Sequence, residues 1–564
     1  MEASPAQSVS ELAQALGLTP TVAEVVWRRG YREVDTARRF LDPKLAELTS
    51  PEGMADRQLA ADRIARAVRA RERVCVFGDY DCDGITATAI LTWVLETLGA
   101  EVVPLLASRF DGGYGVSPAA ARRIVSTGAR LVITADCGSS DHEVLGALGA
   151  QGIEVIVIDH HLVPDEKLPV LAFLNPHRPD CGFPYKNLAS CGLVLSVAAA
   201  VRAELAQRLD LRELLDLVAL GTVADLAPLD GDNRVLARAG LEGLRQGRRP
   251  GIRALLEQLR LDGSTPISAE DVAFRFAPRI NAPGRIATPD LALQLLLARS
   301  LERARVHAAE IELVTQRRRE LQDKMLEEAV ADVEARGWAE RASLVLGRQG
   351  WNHGLAGIVA GQLVARYGRP AIVIGFDDAG LGRGSVRGPK GARLYEALAA
   401  ASDLVERFGG HQAAAGLELR CERLEDLRER FEQACSESGR VTPNPPDPSE
   451  PPFCLRPDDE PSRVLEDLAR LEPCGAQNPQ PRFLLDAEVL GARAVRGGHL
   501  KLDLGLAGGL RLSGFGSGLG HRAGSLGRRV RVTGTLRWDR WRGGRAVEIA
   551  VEEAAEPESG AGEI

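Results

Sequence analysis

The stretch Val74-Cys-Val-Phe-Gly-Asp-Tyr-Asp-Cys-Asp-Gly-Ile-Thr86 decides how the chain is read. Its apolar run, Val74–Phe77, has the length of a buried strand and stops at Gly78. Asp79, Asp81 and Asp83 then alternate, Gly84 follows, and Ile85–Leu98 reads as a helix of good formers. Three carboxylates therefore crowd onto one strand-to-helix turn. Like charges so close repel unless a cation or a proton relieves them. A phosphate-cradling P-loop is excluded, because Gly78–Thr86 lacks its lysine and the carboxylates would repel phosphate. A solvated acidic turn is the plainer alternative, since Asp is a common turn residue. The other carboxylates of the chain decide between the two.

From 71 to about 235, strands and helices alternate, which predicts a parallel sheet. Val102–Leu106 is the next strand, and Ser108-Arg-Phe-Asp-Gly-Gly-Tyr-Gly115 a glycine-rich loop carrying Arg109. Leu131–Ala135 is a strand with Asp136 just beyond it. Val155–Ile158 is another, with Asp159, His160 and His161 beyond it. Arg212–Leu220 reads as a helix and Gly221–Pro228, with Asp225, as a turn. In an open parallel sheet the carboxyl ends of the strands share one edge, where ligands bind. Asp136, the His160-His161 pair or Asp225 alone would be read as a strand-end cap, a loop pair or a turn cap. Together with Asp79, Asp81 and Asp83 they make a donor set suited to Mn²⁺ or Mg²⁺ rather than to a sulfur-loving metal. This many carboxylates favours two ions, the arrangement that clamps a phosphoryl group between attacking and leaving oxygens.

Composition sets the bounds. At 564 residues, three to four domains are expected at about 100–200 residues each. The apolar fraction of 45% and charged fraction of 26% are those of a globular chain. The net charge of −8 does not announce a nucleic-acid binder, but patches rather than totals do the binding. Nine cysteines without a CxxC pair point to reduced thiols, not to a disulfide frame or zinc. No basic-then-apolar leader and no apolar run near 18 residues is present. The expectation is a cytoplasmic protein with no membrane partner.

Four motifs, Gly-Asp-Tyr-Asp-Cys-Asp-Gly (78–84), Thr-Ala-Asp-Cys-Gly (134–138), Ile-Asp-His-His (158–161) and Gly-Thr-Val-Ala-Asp (221–225), resemble the successive motifs of the DHH phosphoesterase superfamily. The likeness implies a two-metal phosphodiesterase using Mn²⁺ or Mg²⁺. It implies that Asp79, Asp81 and Asp136 hold one ion. Asp83, Asp136, His160 and Asp225 would hold the other, with Asp136 bridging. His161 would face the phosphate, and Asp159 would orient an imidazole. In Phe276-Ala-Pro-Arg-Ile-Asn-Ala-Pro-Gly-Arg285, read as a loop, Arg279, Asn281 and Arg285 match a further family block and suit phosphate contact.

Leu291–Gly337 reads as one long amphipathic helix, a strut between two lobes. The second lobe has strands at Leu344–Leu346 and Ala371–Ile374, a helix opened by Trp351-Asn-His-Gly354, and glycine-rich turns at Gly382–Gly388 and Phe408–His411. This set resembles the DHH-associated domain, and His353, Ser385, Arg387 and His411 are its candidate phosphate contacts. A proline-rich linker, 436–453, leads to a series of short alternating strands, Phe483–Glu553, that predicts an OB-fold barrel. Between Lys501 and Arg545, ten Lys/Arg stand against Asp503 and Asp539. Arg537, Trp538, Arg540, Trp541 and Arg542 suit stacking of unpaired bases, or else the tryptophans fill the barrel core.

The expected layout is thus an α/β parallel-sheet DHH domain and a second α/β DHH-associated domain joined by a long helix, with a C-terminal OB barrel. The boundaries are a helical 1–70 segment without evident chemistry, 71–235, 236–340, 341–435, the linker 436–453, 454–555 and a disordered acidic tail 556–564. The resemblance implies a 5′-to-3′ exonuclease releasing mononucleotides from single-stranded DNA in recombination and repair. Partner candidates are a single-strand-binding protein and a helicase. Alternatives are a superfamily phosphodiesterase acting on oligoribonucleotides or cyclic dinucleotides, and a non-catalytic nucleic-acid scaffold.

Overall fold

The computed structural model describes residues 5–410, 414–437, 450–456, 459–539 and 546–556. The chain is an α/β protein whose strands gather into three sheets. The first comprises β1 (Arg73–Gly78), β2 (Glu101–Leu106), β3 (Leu131–Ala135), β4 (Glu154–Ile158) and the short β5 (Ala172–Leu174), in the order β2-β1-β3-β4-β5. Every pairing is parallel, so all the carboxyl ends lie on one edge. The inner strands are apolar throughout because both faces are covered. Ile133, Ile156 and Ile158 face one core, Val132, Val155 and Val157 the other.

Helices cover the first face. Cys82–Thr97 starts within the acidic turn, directly after Asp81 and three residues earlier than the apolar pattern predicts. Of the segment predicted to turn, Gly221–Pro228, the first four residues continue the helix Leu215–Ala224, and the turn begins at its C-cap, Asp225. Gly221 belongs there because of what it faces. A Cβ at this position would stand 2.6 Å from Asp83 Oδ1 and 2.7 Å from Cys191 Sγ. Glycine is what lets this helix press against the acidic site.

Phe276–Arg285 is likewise helical rather than a loop. A π-helical turn, Val272–Phe276, runs into Ala277–Asn281 and then Pro283–Ile286. Pro278 follows directly on the π-helical turn, and Pro283 stands at the first position of the next helix, where a missing N–H costs nothing. The predicted strut is two helices, Asp290–Leu296 and Leu301–Ala335. Ser300 caps the second by accepting from the Arg303 amide.

The second sheet has the order β6-β7-β8-β10-β9, with β6 (Leu344–Gln349), β7 (Ala371–Phe376), β8 (Leu381–Arg387), β9 (Arg407–Gly410) and β10 (Ala414–Arg420). The predicted glycine-rich turn Gly382–Gly388 is therefore mostly strand β8, and Phe408–Gly410 belongs to β9. At Gly382 a Cβ would meet the Phe376 ring at 2.4 Å, so glycine makes room for a β7 side chain. The third sheet adds β11 (Phe453–Cys454), β12 (Phe483–Val495), β13 (His499–Gly505), β14 (Arg511–Gly516), β15 (Arg529–Trp538) and β16 (Val547–Ala555). The pairing of β12 with β15 closes it into an OB-like barrel. Phe453, assigned to the linker from sequence, is a strand residue pairing with Phe483. Most of the linker, 438–449, and the tail from 557 lie outside the described residues.

The 1–70 segment divides. Arg57–Ala70 packs on the first lobe, whereas Val9, Leu12, Val22, Val25, Val26 and Phe40 share a core with the barrel residues Phe483, Leu502, Val532 and Ile549. The helix Pro20–Arg28 has no cap of its own. Its Thr19 and Thr21 amides donate to Asp467 (2.7 Å) and Asp459 (3.0 Å). Among the described residues no helix is long and apolar enough to cross a membrane.

Candidate active site

The acidic turn is built by two backbone demands. Asp81 caps the Cys82–Thr97 helix, its Oδ1 accepting from the Asp83 (3.1 Å) and Gly84 (3.2 Å) amides. Asp83 then falls in the first helical turn and is buried. A second helix, Ser190–Glu204, points its amino end at the same carboxylate. The Ser190 amide reaches Asp83 Oδ2 at 2.7 Å and the Cys191 amide reaches Oδ1 at 3.0 Å.

Asp136 follows β3 with φ of 66°, a left-handed conformation uncommon for a residue other than glycine. Its Oδ1 lies 3.3 Å from His160 Nε2 and 4.0 Å from His161 Nδ1, and His160 Nε2 lies 3.7 Å from Asp225 Oδ2. Asp159, also buried, accepts from the His160 and His161 amides, the Ser139 amide and His161 Nδ1 (2.7 Å). Asn175, just past β5, donates to the His161 carbonyl at 2.8 Å.

Three overlapping groups of donor atoms result: Asp79, Asp81 and Asp136; Asp83, His160 and Asp225; and Asp136, His160 and His161. Within each, one donor atom per residue lies within 4.8 Å of the others. All six residues expected to ligate metal, with His161, thus come together at one edge. The electrostatics are those of a site lacking counter-charge. Burial and neighbouring aspartates push Asp79 and Asp136 well above the carboxylate range. Burial and the charge of Asp83 push Asp225 up to about 8. Burial depresses His160, keeping its imidazole neutral. Burial would also depress His161, but its hydrogen bond to Asp159 wins and holds it at about 9. Burial opposes ionisation of Asp159, and the hydrogen bond from His161 overrides it, leaving the carboxyl at about 2.

Asp79 Oδ1 and His160 Nε2 are buried and make no hydrogen bond. Unsatisfied buried oxygen and imidazole nitrogen, amid carboxylates that cannot all ionise together, are what a hard divalent cation would satisfy. The donor set fits Mn²⁺ or Mg²⁺.

Basic side chains adjoin this edge. The Arg109 guanidinium stacks 3.8 Å from the Tyr80 ring centroid, and its Nε is buried without a partner. Burial lowers Arg285 to about 10, with the charges of Arg109 and Arg318 adding to the effect. The two lobes meet here. His353 Nε2 lies 3.3 Å from the Arg109 carbonyl, and Arg383 donates to the same oxygen at 3.4 Å. Burial and the charge of Arg109 also lower Arg387. Ser385 and Arg387, two apart on β8, both lie over Gly357, where a Cβ would stand 2.8 Å from the guanidinium.

Other predicted contacts are engaged elsewhere. Arg279 pairs with Glu312 at 2.8 Å rather than standing available for phosphate. Asn281 has a buried Oδ1 without a partner. On the barrel, Arg537 pairs with Glu548 at 2.9 Å, and Trp538 packs against the core, which favours the core reading for that residue. The predicted excess of basic charge shrinks once neighbouring strands supply acids. Lys501 also meets Glu548, Arg531 meets Asp486 and Arg528 meets Glu488. His411, Arg540, Trp541 and Arg542 lie outside the described residues.

Sequence reasoning missed Tyr114, whose hydroxyl donates to the Asp136 carbonyl (3.3 Å) and lies 3.0 Å from His161 Nδ1. It also missed Phe110, which packs against His353 at 4.8 Å. The signal was available: both are aromatic residues set in a glycine-rich loop beside the site.

Family models match along the chain: the DHH family N-terminal domain at 73–222, the DHHA1 domain at 340–437 and the RecJ OB domain at 454–553. The single-stranded-DNA-specific exonuclease RecJ of Bacillus subtilis is 35% identical over 97% of this chain and 69% of its own length. That of Escherichia coli is 34% identical over 87% and 88%. The crystal structure of RecJ from Thermus thermophilus in complex with Mn²⁺ superposes with a TM-score of 0.82 at 31% identity, covering all of this chain and 80% of that one. A second structure of that protein holds Mg²⁺, with a TM-score of 0.76. The chain belongs to the RecJ family of DHH phosphoesterases.

Proposed function

We propose that this chain is a metal-dependent exonuclease that degrades single-stranded DNA from the 5′ end and releases 5′-mononucleotides. The observation that carries the reading is the convergence of seven acidic and imidazole residues from four separate segments on one sheet edge, beside arginines of both lobes. Asp79, Asp81 and Asp136 would hold one divalent cation; Asp83, Asp136, His160 and Asp225 would hold the other. Bound there, Mn²⁺ or Mg²⁺ would activate water and offset charge on the phosphoryl group. His161, cationic at neutral pH and oriented by Asp159, offers a donor to a phosphate oxygen. Arg109, Arg285, Arg387, His353 and Ser385 would bind the phosphates and fix the strand's position. The second lobe reaches the first through the Arg109 carbonyl, which brings basic side chains of both lobes beside the acidic edge.

The reading places the protein in the cytoplasm, acting in recombination and repair alongside a single-strand-binding protein and a helicase. The test is a degradation time course with DNA and RNA oligonucleotides labelled at either end, with and without a 5′-phosphate, in Mn²⁺, Mg²⁺ or EDTA. The expected result is mononucleotide release from the 5′ end of single-stranded DNA, lost in EDTA and restored by either metal. Preference for RNA, or release from the 3′ end, would overturn it.

A further inference from the structure

We propose that Ser190 is a positioning residue that ties the three donor groups together and sets the affinity of the chain for divalent cation. The inference rests on the metal-centre reading above. Ser190 opens the helix Ser190–Glu204 and belongs to none of the segments that carry the carboxylates and imidazoles. It is fully buried. Its hydroxyl donates to Asp136 Oδ1 at 2.9 Å, and its amide donates to Asp83 Oδ2 at 2.7 Å. Asp136 is a member of two donor groups and Asp83 of the third, so this one residue holds a carboxylate of every group.

The two bonds do different work. Asp83 is already fixed by two helix amides and by the close approach of Gly221. Asp136 sits on a left-handed backbone, and the Ser190 hydroxyl donates to its carboxylate. A neutral hydroxyl orients a carboxylate without cancelling its charge, which an arginine or lysine in the same place would do. Partners that aim ligands in this way typically change metal affinity by about 10–100-fold when removed.

The experiment is a titration of the full chain with Mn²⁺, following free ion by electron paramagnetic resonance, in the parent, Ser190→Ala and Ser190→Thr. Ser196→Ala, on the same helix and bonded to Arg57, controls for a general effect of losing a serine there. Ser190→Ala is expected to weaken Mn²⁺ binding about tenfold or more, with single-stranded DNA binding in EDTA unchanged and most of kcat recovered at high Mn²⁺. Ser190→Thr, which keeps the hydroxyl, is expected within about threefold of the parent, and Ser196→Ala on the parent curve. A Ser190→Ala curve that superimposes on the parent overturns the proposal, as does Ser190→Thr binding as weakly as Ser190→Ala. Should Ser190→Ala fail to fold, Ser190→Cys, a weaker donor of similar size, replaces it: weakened binding supports the role and parent-like binding overturns it. A parent chain that binds no Mn²⁺ overturns the metal-centre reading itself, and the role of Ser190 with it.

Discussion

Two places in this molecule bury charge, and they do so in opposite ways. Arg234 is 3% exposed, between the first lobe, the N-terminal helices and the barrel. Its guanidinium donates to the carbonyls of Phe40 (2.8 Å), Leu471 (2.8 Å), Pro473 (3.2 Å), Arg470 (3.3 Å) and Glu472 (3.1 Å), and lies 4.1 Å from the Phe40 ring centroid. Burial lowers it to about 10, which leaves it charged at neutral pH. The acidic rim has a comparable depth of burial and the reverse accounting. Its carboxylates crowd one another, and Asp79 Oδ1 and His160 Nε2 have no hydrogen-bond partner among the described residues. A buried charge whose partners are all supplied by the fold is architecture. A buried cluster left short of partners is a place for something the chain does not itself provide.

The largest effect should follow from breaking the rim. Asp136→Ala is expected to lower hydrolysis of 5′-labelled single-stranded DNA by about a thousandfold or more, on the order of 4 kcal/mol in the barrier. In EDTA the thermal midpoint of Asp136→Asn, which tolerates the left-handed backbone and keeps an acceptor for Ser190, should equal or exceed that of the parent, because a carboxyl whose ionisation is disfavoured has gone. A clear fall in that midpoint would move Asp136 to the structural side of the comparison.

Arg234→Ala should behave in the opposite way. Five carbonyls lose their donor, at a cost of about 3 kcal/mol in denaturant unfolding. Chemistry on the fraction that remains folded should be near normal. Unchanged stability would show that water replaces the guanidinium freely and that the junction is not held as described.

The pH response separates the two sites further. In the metal-free chain, Asp225 at about 8 and His161 at about 9 each bind protons more tightly than they would when unfolded. Where the native state holds the extra proton, stability falls as pH rises. Asp225 contributes that slope from roughly pH 4 to 8, and His161 from roughly 6.5 to 9. Thermal midpoints in EDTA should therefore decline between pH 6.5 and 8, and saturating Mn²⁺ should flatten the decline. A midpoint independent of pH in EDTA would contradict the electrostatics assigned to the rim.

The smallest contrast lies between two arginines. Arg387, buried beside Arg109, should on replacement by alanine weaken single-stranded DNA binding about tenfold, near 1.4 kcal/mol, and reduce its salt dependence. Arg537, whose guanidinium is already paired with the buried Glu548, should on the same replacement change binding by less than about threefold, roughly 0.6 kcal/mol. Fluorescence anisotropy of a labelled oligonucleotide in EDTA reads both, and the reverse order would restore the barrel arginine as a nucleic-acid contact.

How much of this was legible in the sequence depends on how local the cause is. The strands β1 to β4 are short apolar runs, and the rim residues follow them directly, so position alone brought Asp79, Asp81, Asp83, Asp136, His160 and His161 together. Asp225 was located correctly in a turn, but that turn was begun four residues early, at Gly221, which is helical and makes room for Asp83. Glycines misled again at Gly382, where the space is filled by Phe376 from the neighbouring strand. What stayed hidden was pairing at a distance. Nothing near Arg279 announces Glu312, nothing near Arg537 announces Glu548, and the helix at Pro20 is capped from Asp459 and Asp467. Ser190 carries no local mark either, since its importance comes from two carboxylates that reach it from other segments.

The most direct test of the acidic rim is anomalous diffraction from crystals of the chain grown with Mn²⁺. Two anomalous peaks are expected, one bound by Asp79, Asp81 and Asp136 and the other by Asp83, Asp136, His160 and Asp225, at ligand distances of about 2.2 Å. No peak at this edge, in a chain that still degrades single-stranded DNA, would contradict the two-ion centre.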